Sequence, residues 1–169
     1  MAEDKDKLIE EISKIRQILE DKHTRTEIKV DWKEALAYMW QSEEKSFRPV
    51  KNVNSIPLEL LKGIDQNIDI LLENTLKFSE SLPANNALLW GAKGTGKSSL
   101  VKSVHAEINN QNNDEIKLIE IHREDISNLP YLLSKLGEYT VYKFILFCVY
   151  LSFDAGENTY KSLKSVLDG

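Results

Sequence analysis

The sequence predicts an α/β fold, a parallel sheet with helices on its faces, and three observations support this. Short apolar runs of strand length occur at 87–90, 116–121 and 143–151. The third run, KFILFCVYL, is apolar almost throughout, which is typical of a strand that is buried on both faces. Amphipathic segments at 97–109 and 125–136 lie between the runs. Because crossovers of this kind join parallel strands, the alternation predicts a parallel sheet.

The N-terminal part is expected to be helical and separate from the rest. Residues 1–45 are interpreted as an N-terminal helical region and residues 46–169 as the α/β domain. Apolar residues recur every three or four positions over 4–22. A second helix is predicted over 32–41, with Asp31 as its N-cap.

The remaining segments receive simpler interpretations. Trp32 and Trp40 are expected to pack in the core or an interface. The polar, proline-containing segment 42–55 is interpreted as a linker or an extended stretch. Three further helices are predicted from apolar spacing and capping residues: 57–62, 65–81 and 158–167.

Composition and charge exclude several classes of protein. The chain has 169 residues, with 41% hydrophobic residues, seven glycines and four prolines, which excludes collagen-like and low-complexity sequences. A net charge of -5 argues against broad binding to nucleic acid or to anionic membranes. No apolar run approaches the roughly 18 residues of a membrane-spanning helix. Cys148 is the single cysteine, so no intramolecular disulfide and no cysteine-based zinc site is expected. We therefore expect a cytoplasmic protein without a membrane segment.

The strongest motif is a glycine-rich loop with the Walker A pattern G-x-x-x-x-G-K-[S/T], which residues 91–98 (GAKGTGKS) match at every fixed position. Glycines let the backbone wrap so that successive N–H groups point at one anion, and the following helix directs its positive end at the same phosphates. Lys97 is expected to reach the β- and γ-phosphates, and the Ser98 hydroxyl to bind Mg²⁺. The predicted nucleotide site consists of Gly91, Ala92, Lys93, Gly94, Thr95, Gly96, Lys97, Ser98 and Ser99.

Other interpretations of these polar residues remain open. The loop 91–98 is alternatively a glycine turn at a strand–helix junction, although such a turn does not explain why Lys97 and two serines open the helix. Lys93 is interpreted as a solvated lysine. His105 and His122 have no partners at metal-ligand spacing, and both are interpreted as surface residues or as histidines with satisfied hydrogen bonds.

The acid that hydrolysis needs is missing from its expected position. P-loop hydrolases hold Mg²⁺ with an aspartate at the end of a buried strand. The run 143–151 contains no acid, and the first one downstream is Asp154. Glu120 and Glu124, near the end of the preceding strand, are alternative acids. Since Mg²⁺ keeps several waters, it can still bind through Ser98, phosphate oxygens and water, so binding is predicted to survive better than hydrolysis.

The segment 82–102 (LPANNALLWGAKGTGKSSLVK) resembles the bacterial ATPases grouped as domain of unknown function 815, within the AAA+ superfamily. Shorter segments carry the same resemblance: LLKGIDQ at 60–66, Ile119 and Glu120 with Asp125, Phe147 and Cys148 with LSF at 151–153, and YKSLKSVLDG at 160–169. The resemblance covers about 47–169. It implies a three-layer P-loop NTPase sheet of AAA+ type and an ATP site in which Gly63 and Ile64 contact the adenine.

The sequence departs from this family in two respects. Relatives have two aspartates directly after Phe-Cys, where this chain has Val149 and Tyr150. An AAA+ module also continues with two more strands, a sensor residue, an arginine finger and a helical lid. The resemblance therefore implies a partial, truncated module. In a complete module a later strand separates the first and third strands, so here the three strands are expected to pair directly or to give a poorly stable product.

Three functions follow from these observations. The first is ATP binding with weak or absent hydrolysis. The second is a competent ATPase or a small P-loop kinase that uses Glu120 or Glu124. The third is a non-enzymatic interaction module, in which the segment 4–41 binds a protein partner or a second copy of the chain.

Overall fold

The computed structural model describes residues 11–16, 30–111 and 116–149. The described helical residues 11–16, α1, agree with the helix predicted over 4–22, whose other residues lie outside the described ones. The predicted helix at 158–167 and Tyr150 also lie outside them. The further helices are α2 (Asp65–Ser79), α3 (Lys97–Gln111) and α4 (Leu129–Leu136), with 3₁₀ turns at Leu58–Leu60 and Arg123–Asn128.

The described part of the chain is an α/β fold built on one four-stranded mixed sheet. Its strands are β1 (Ala37–Gln41), β2 (Ser46–Val50), β3 (Ile116–His122) and β4 (Lys143–Val149), in the order β2-β1-β3-β4. β1 pairs with β3 and β3 pairs with β4 in parallel, whereas β1 and β2 are antiparallel. The prediction of a purely parallel sheet is therefore wrong at its β2 edge.

The antiparallel part comes from a segment that we predicted as a helix followed by a linker or extended stretch, and β2 agrees with the extended alternative. Residues 37–50 form a β-hairpin, so the predicted helix over 32–41 with its Asp31 cap is wrong. The apolar residues of β1 fit a helical spacing, but the strand buries Tyr38 and Trp40 on one face, with the period of two of a β-strand. The hairpin turn holds Lys45 at a φ of 47°, in the left-handed region. Residues 42–45 (SEEK) contain no glycine or asparagine, which such turns usually have, so the sequence does not indicate a turn here.

A second error concerns the run 87–90, which is not a strand. It has no regular secondary structure, and the side chains of Leu88 and Trp90 are 62% and 88% exposed. Leu89, between them, packs against the buried cluster that contains Leu100 and Val104. A four-residue apolar run becomes a strand only where another strand pairs with it, and among the described residues none does.

The sheet has an apolar cluster on each face. β3 places Ile119 and Ile121 on one face and Ile116 on the other, since side chains alternate along a strand. The aromatic cluster lies on the first face, and its buried members are Trp32, Tyr38, Trp40, Phe47, Ile119, Ile121, Leu129, Leu132 and Leu136. The aliphatic cluster lies on the second face, and its buried members are Leu61, Leu100, Val104, Ile108 and Ile116.

The aromatic cluster confirms the core interpretation of both tryptophans. The Trp32 ring centroid lies 4.8 Å from those of Tyr38 and Phe144. The Trp40 ring packs 5.0 Å from Phe47. Edge-to-face and tilted contacts at these distances stabilise a core beyond the area they bury. The hairpin is thereby held to the rest of the sheet through its own aromatic side chains.

Other predicted elements agree with the structure. α2, α3, β3 and β4 lie where the sequence places them, to within two residues at each end. The helix predicted over 125–136 begins as the 3₁₀ turn and continues as α4. No described helix has the length and apolar character needed to cross a membrane.

Candidate functional site

The glycine-rich loop lies between the irregular segment 82–90 and α3, and its shape depends on glycine at three positions. Gly91, Gly94 and Gly96 have φ values of 136°, 85° and 82°. A side chain at such φ values is strained, so the glycines of the motif are required by the backbone itself. A Cβ added at Gly94 or Gly96 would meet no atom within 4 Å, so the loop borders open space at both positions.

Lys97 reaches back over this loop from the first residue of α3. Its Nζ donates hydrogen bonds to the carbonyl oxygens of Gly91 (2.9 Å) and Ala92 (2.7 Å) and lies 3.3 Å from Thr95 Oγ1. The Thr95 hydroxyl itself donates to the Ala92 carbonyl at 2.9 Å. An ammonium group is therefore held across the loop rather than extended into solvent.

α3 holds the loop on a rigid support. The Leu100 N–H donates to the Gly96 carbonyl at 2.8 Å, which is the first helical hydrogen bond after the loop. The first-turn N–H groups of a helix have no intrahelical acceptor, and the first turn of α3 carries no acidic side chain. Leu100 and Val104 are buried in the aliphatic cluster and fix the helix against the sheet. Ser98 is exposed at the loop end of α3, and Ser99 is half-buried.

Gly63 and Ile64 lie in the segment that runs beside α3. Gly63 has a φ of 78° and follows the first 3₁₀ turn, as predicted. Ile64 precedes α2 and packs against the aliphatic cluster, together with Leu89. The Ile56 N–H donates to Ser103 Oγ at 3.1 Å, which ties this segment to α3. The structure thus gives Ile64 a packing role and brings it into the same cluster as the residues that flank the loop.

The end of β4 has the apolar character expected from its sequence. Val149 is buried and lies opposite His122 of β3 in the sheet register. Glu120, the first alternative acid, forms an ion pair with Lys102 of α3, with 3.0 Å between Oε2 and Nζ. Glu124 is exposed in the 3₁₀ turn after β3. Across the described ranges, no three His, Cys, Asp or Glu side chains come together as a metal site.

His105 is a buried residue with hydrogen bonds, which confirms one of the two interpretations given to it. Its Nε2 lies 2.8 Å from the Ile116 carbonyl oxygen. Asn109 joins the same group: its Oδ1 accepts from the Ile116 N–H at 2.8 Å. Burial lowers the pKa of His105, against the smaller opposing effect of the hydrogen bond to Ile116, and the charge of Lys117 lowers it further. His105 and Asn109 fasten the C-terminal half of α3 to the start of β3.

Three further residues complete the comparison of prediction and structure. His122 is exposed, which confirms its interpretation as a surface residue. Cys148 is half-buried near the end of β4, and burial raises the pKa of its thiol. Lys117, which the sequence does not single out, is fully buried, with its Nζ 3.1 Å from the Ala35 carbonyl oxygen. The sequence feature that could have identified Lys117 is a lysine inside a run that is otherwise almost entirely apolar.

These features define an α/β protein with a glycine-rich loop at the start of a helix. A family model described as "Protein of unknown function (DUF815)" matches residues 33–169, and the chain belongs to that family. The match begins before β1, so it includes the hairpin as well as the loop and the rest of the sheet. No curated protein and no solved structure matches the chain.

Proposed function

We propose that the chain binds a nucleoside triphosphate, ATP in the first place, with Mg²⁺, through the loop 91–99, and that it hydrolyses the nucleotide weakly or not at all. The observation that carries the proposal is the position of the Lys97 ammonium across a loop that three positive-φ glycines shape. The corresponding fold is a P-loop NTPase of AAA+ type, in a cytoplasmic protein.

The loop offers phosphate groups the contacts that they require. Backbone N–H groups at the start of α3 supply donors and a partial positive charge. Lys97 supplies an ammonium with three donor hydrogens, which now face two backbone carbonyls and the Thr95 hydroxyl. A phosphate oxygen carries more negative charge than a carbonyl oxygen, so the ammonium would bind phosphate in preference. The open space beside Gly94 and Gly96 leaves room for the ligand.

A metal ion would bind at the same end of α3. The Ser98 hydroxyl is exposed there, and Mg²⁺ would take its other ligands from phosphate oxygens and water. The ion would supply charge neutralisation to the phosphates. This chain's own residues would hold the triphosphate, with Lys97 on its outer oxygens.

Weak hydrolysis follows from the side chains around the end of β4. Val149 is buried and apolar where a metal-holding acid is needed. The carboxylate of Glu120 is already paired with Lys102. Use of Glu120 in catalysis would require breaking this pair, and Glu124 lies exposed outside the sheet.

Titration of the full chain with ATP and Mg²⁺ by calorimetry tests the proposal. Lys97→Ala removes the ammonium from the loop and should weaken binding by roughly 10- to 100-fold, the range for a charge-assisted hydrogen bond. Lys77→Ala removes an exposed lysine of α2, outside the loop, and is the matched control, expected to change the affinity by less than about threefold. Equal ATP affinity in the wild type and Lys97→Ala would contradict the proposal.

Single-turnover phosphate release separates binding from hydrolysis. We expect release near the uncatalysed background with Mg²⁺ present, and no change in Glu120→Gln. Turnover that requires Mg²⁺ and disappears in Glu120→Gln would instead identify a competent ATPase with Glu120 as its acid.

A further inference from the structure

The chain that leads from α2 to the glycine-rich loop begins with a turn that hydrogen bonds define. The Leu82 N–H donates to the Lys77 carbonyl oxygen at 2.9 Å. The Ser81 N–H donates to the Phe78 carbonyl oxygen at 3.1 Å. With Ser81 in the left-handed region (φ 60°), the two bonds form the Schellman arrangement that commonly ends a helix. The chain therefore leaves α2 in a defined direction.

Asn74 of α2 binds this chain again at Asn85, through both polar groups of its side-chain amide. Its Nδ2 donates to the Asn85 carbonyl oxygen at 2.8 Å, and its Oδ1 accepts from the Asn85 N–H at 2.9 Å. We call these two hydrogen bonds the Asn74 clamp. One side chain thereby satisfies the donor and the acceptor of one backbone residue, as a neighbouring β-strand would.

The clamp depends on the chemistry of residue 74 and not on that of residue 85. A side-chain amide carries an acceptor and a donor next to each other, whereas a carboxylate only accepts and an alanine side chain does neither. Asn85 takes part with its backbone alone. Substitution of Asn74 should therefore break the clamp, and substitution of the Asn85 side chain should leave it intact.

α2 holds Asn74 at a fixed place relative to α3. Leu72 of α2 packs against the aliphatic cluster, to which Leu100 of α3 belongs. Thr75, the residue after Asn74, is buried, and its hydroxyl donates to the Leu71 carbonyl oxygen at 2.7 Å. Asn74 itself is half-buried, beside this packed surface. The side-chain amide is thus presented by a helix that is packed on the support of the loop.

Only a short stretch of chain separates the clamp from the loop. Leu89, four residues after Asn85, packs against the aliphatic cluster. Gly91 follows two residues later, and its carbonyl oxygen accepts from Lys97 at 2.9 Å. A shift of the chain at Asn85 would therefore change where Gly91 meets the Lys97 ammonium.

We propose that Asn74 is a positioning residue of the nucleotide site, which sets the path of the chain into the loop 91–99 through its two bonds to Asn85. This inference rests on the proposed binding of ATP, and Asn74 acts through the loop without touching the nucleotide. Without the clamp, fewer molecules would have the loop arranged for phosphate, and the apparent affinity falls with that fraction.

Calorimetric titration of the full chain with ATP and Mg²⁺ tests the positioning role. Asn74→Ala should weaken binding by about 3- to 10-fold, since two neutral hydrogen bonds are lost. Alanine is the better helix former, so a weakened α2 would not explain the loss. Asn67→Ala is the matched control, because Asn67 is exposed on α2 two turns earlier, and both it and Asn85→Ala should bind as the wild type does. Equal affinity in the wild type and Asn74→Ala would overturn the proposal.

An isosteric variant separates hydrogen bonding from packing. Asn74→Asp keeps the size of the side chain but turns a carboxylate oxygen towards the Asn85 carbonyl oxygen, so it should weaken ATP binding at least as much as Asn74→Ala. Asn67→Asp introduces the same charge on the same helix and is its control. Wild-type affinity in Asn74→Asp would mean that the shape of the side chain is sufficient, and would contradict the clamp.

Exchange of the Asn85 amide hydrogen, followed by NMR without nucleotide, tests the clamp itself. The amide should exchange roughly fivefold faster in Asn74→Ala than in the wild type, as expected for the loss of one hydrogen bond. Unchanged exchange would overturn the proposal whatever the ATP titration shows. A wild type that does not bind ATP would refute the proposed function and the positioning role together, whereas equal ATP binding by the wild type and Asn74→Ala refutes the positioning role alone.

Discussion

The two segments that flank the glycine-rich loop are supported in different ways. α3, after the loop, is a 15-residue helix whose Leu100 and Val104 are buried against the sheet. The segment 82–90, before the loop, has no regular structure, and Trp90 is exposed beside Gly91. A helix satisfies its backbone hydrogen bonds within itself, whereas a strand needs a neighbour to do so. The loop is consequently held from its helical side.

The largest expected difference in stability is between two leucine-to-alanine substitutions, one on each side of the loop. Leu100→Ala leaves a cavity in the aliphatic cluster and should destabilise the protein by about 2–5 kcal/mol. Leu88→Ala changes an exposed side chain, with an expected effect within about 0.5 kcal/mol. Urea unfolding measures both. A loss of more than about 2 kcal/mol in Leu88→Ala would show that Leu88 is packed in solution, and would break the contrast.

How far the sequence predicts this structure depends on whether the determining interactions are local. The loop, α3 and β3 follow from motif and periodicity, because glycine conformations and a helical stripe are properties of neighbouring residues. The fate of 87–90 and the hairpin at 37–50 depends on which strands are available as partners. Trp40 illustrates this, since its spacing from Leu36 fits a helix while its packing on Phe47 requires a hairpin.

The candidate site follows the same division. The residues of the loop and the lack of an acid at Val149 could both be predicted from the sequence. It does not give the ion pair of Glu120 with Lys102 or the burial of Lys117, since both depend on how α3 and the segment around Ala35 pack on the sheet.

Glycine substitutions test the loop itself against a glycine elsewhere. Gly94→Ala forces a side chain into a φ of 85° and should cost about 1–2 kcal/mol of stability, together with a weaker ATP affinity. Gly137→Ala is the matched control, since Gly137 ends α4 with a helical φ of -62°. It should be neutral or stabilise by up to about 1 kcal/mol. If thermal unfolding shows equal effects for both variants, the loop does not keep its left-handed conformation.

The attachment of α3 to β3 should depend on pH through His105. Its pKa is lowered in the folded state, chiefly by burial, so the unfolded chain binds more protons once the pH falls below its ordinary value of 6.5. The stability contributed by neutral His105 is therefore complete above pH 6.5 and lost as the pH falls through the lowered pKa. Urea midpoints between pH 7.5 and 5, a range of about 2.5 units around the ordinary histidine pKa, measure this loss.

Two variants identify the histidine that is responsible. His105→Gln should flatten the fall in stability with acid, whereas His122→Gln, on an exposed residue, should leave the slope unchanged. Equal slopes in the wild type and His105→Gln would mean that carboxylates account for the acid sensitivity.

The smallest expected effect concerns the ion pair between Lys102 and Glu120, which links the same two elements. Both side chains are only 25% and 20% exposed, so the pair is screened less than a fully exposed one, yet each charge has lost part of its hydration. A double-mutant cycle with Lys102→Met and Glu120→Gln should give a coupling energy of about 0.5–1 kcal/mol. The stability lost in Leu100→Ala would then be several times the coupling energy of the ion pair. We therefore expect α3 to be held to the sheet mainly through Leu100 and Val104. A coupling energy of about 3 kcal/mol or more would reverse that order, and would make the charge of Glu120 indispensable to the fold and unavailable to catalysis.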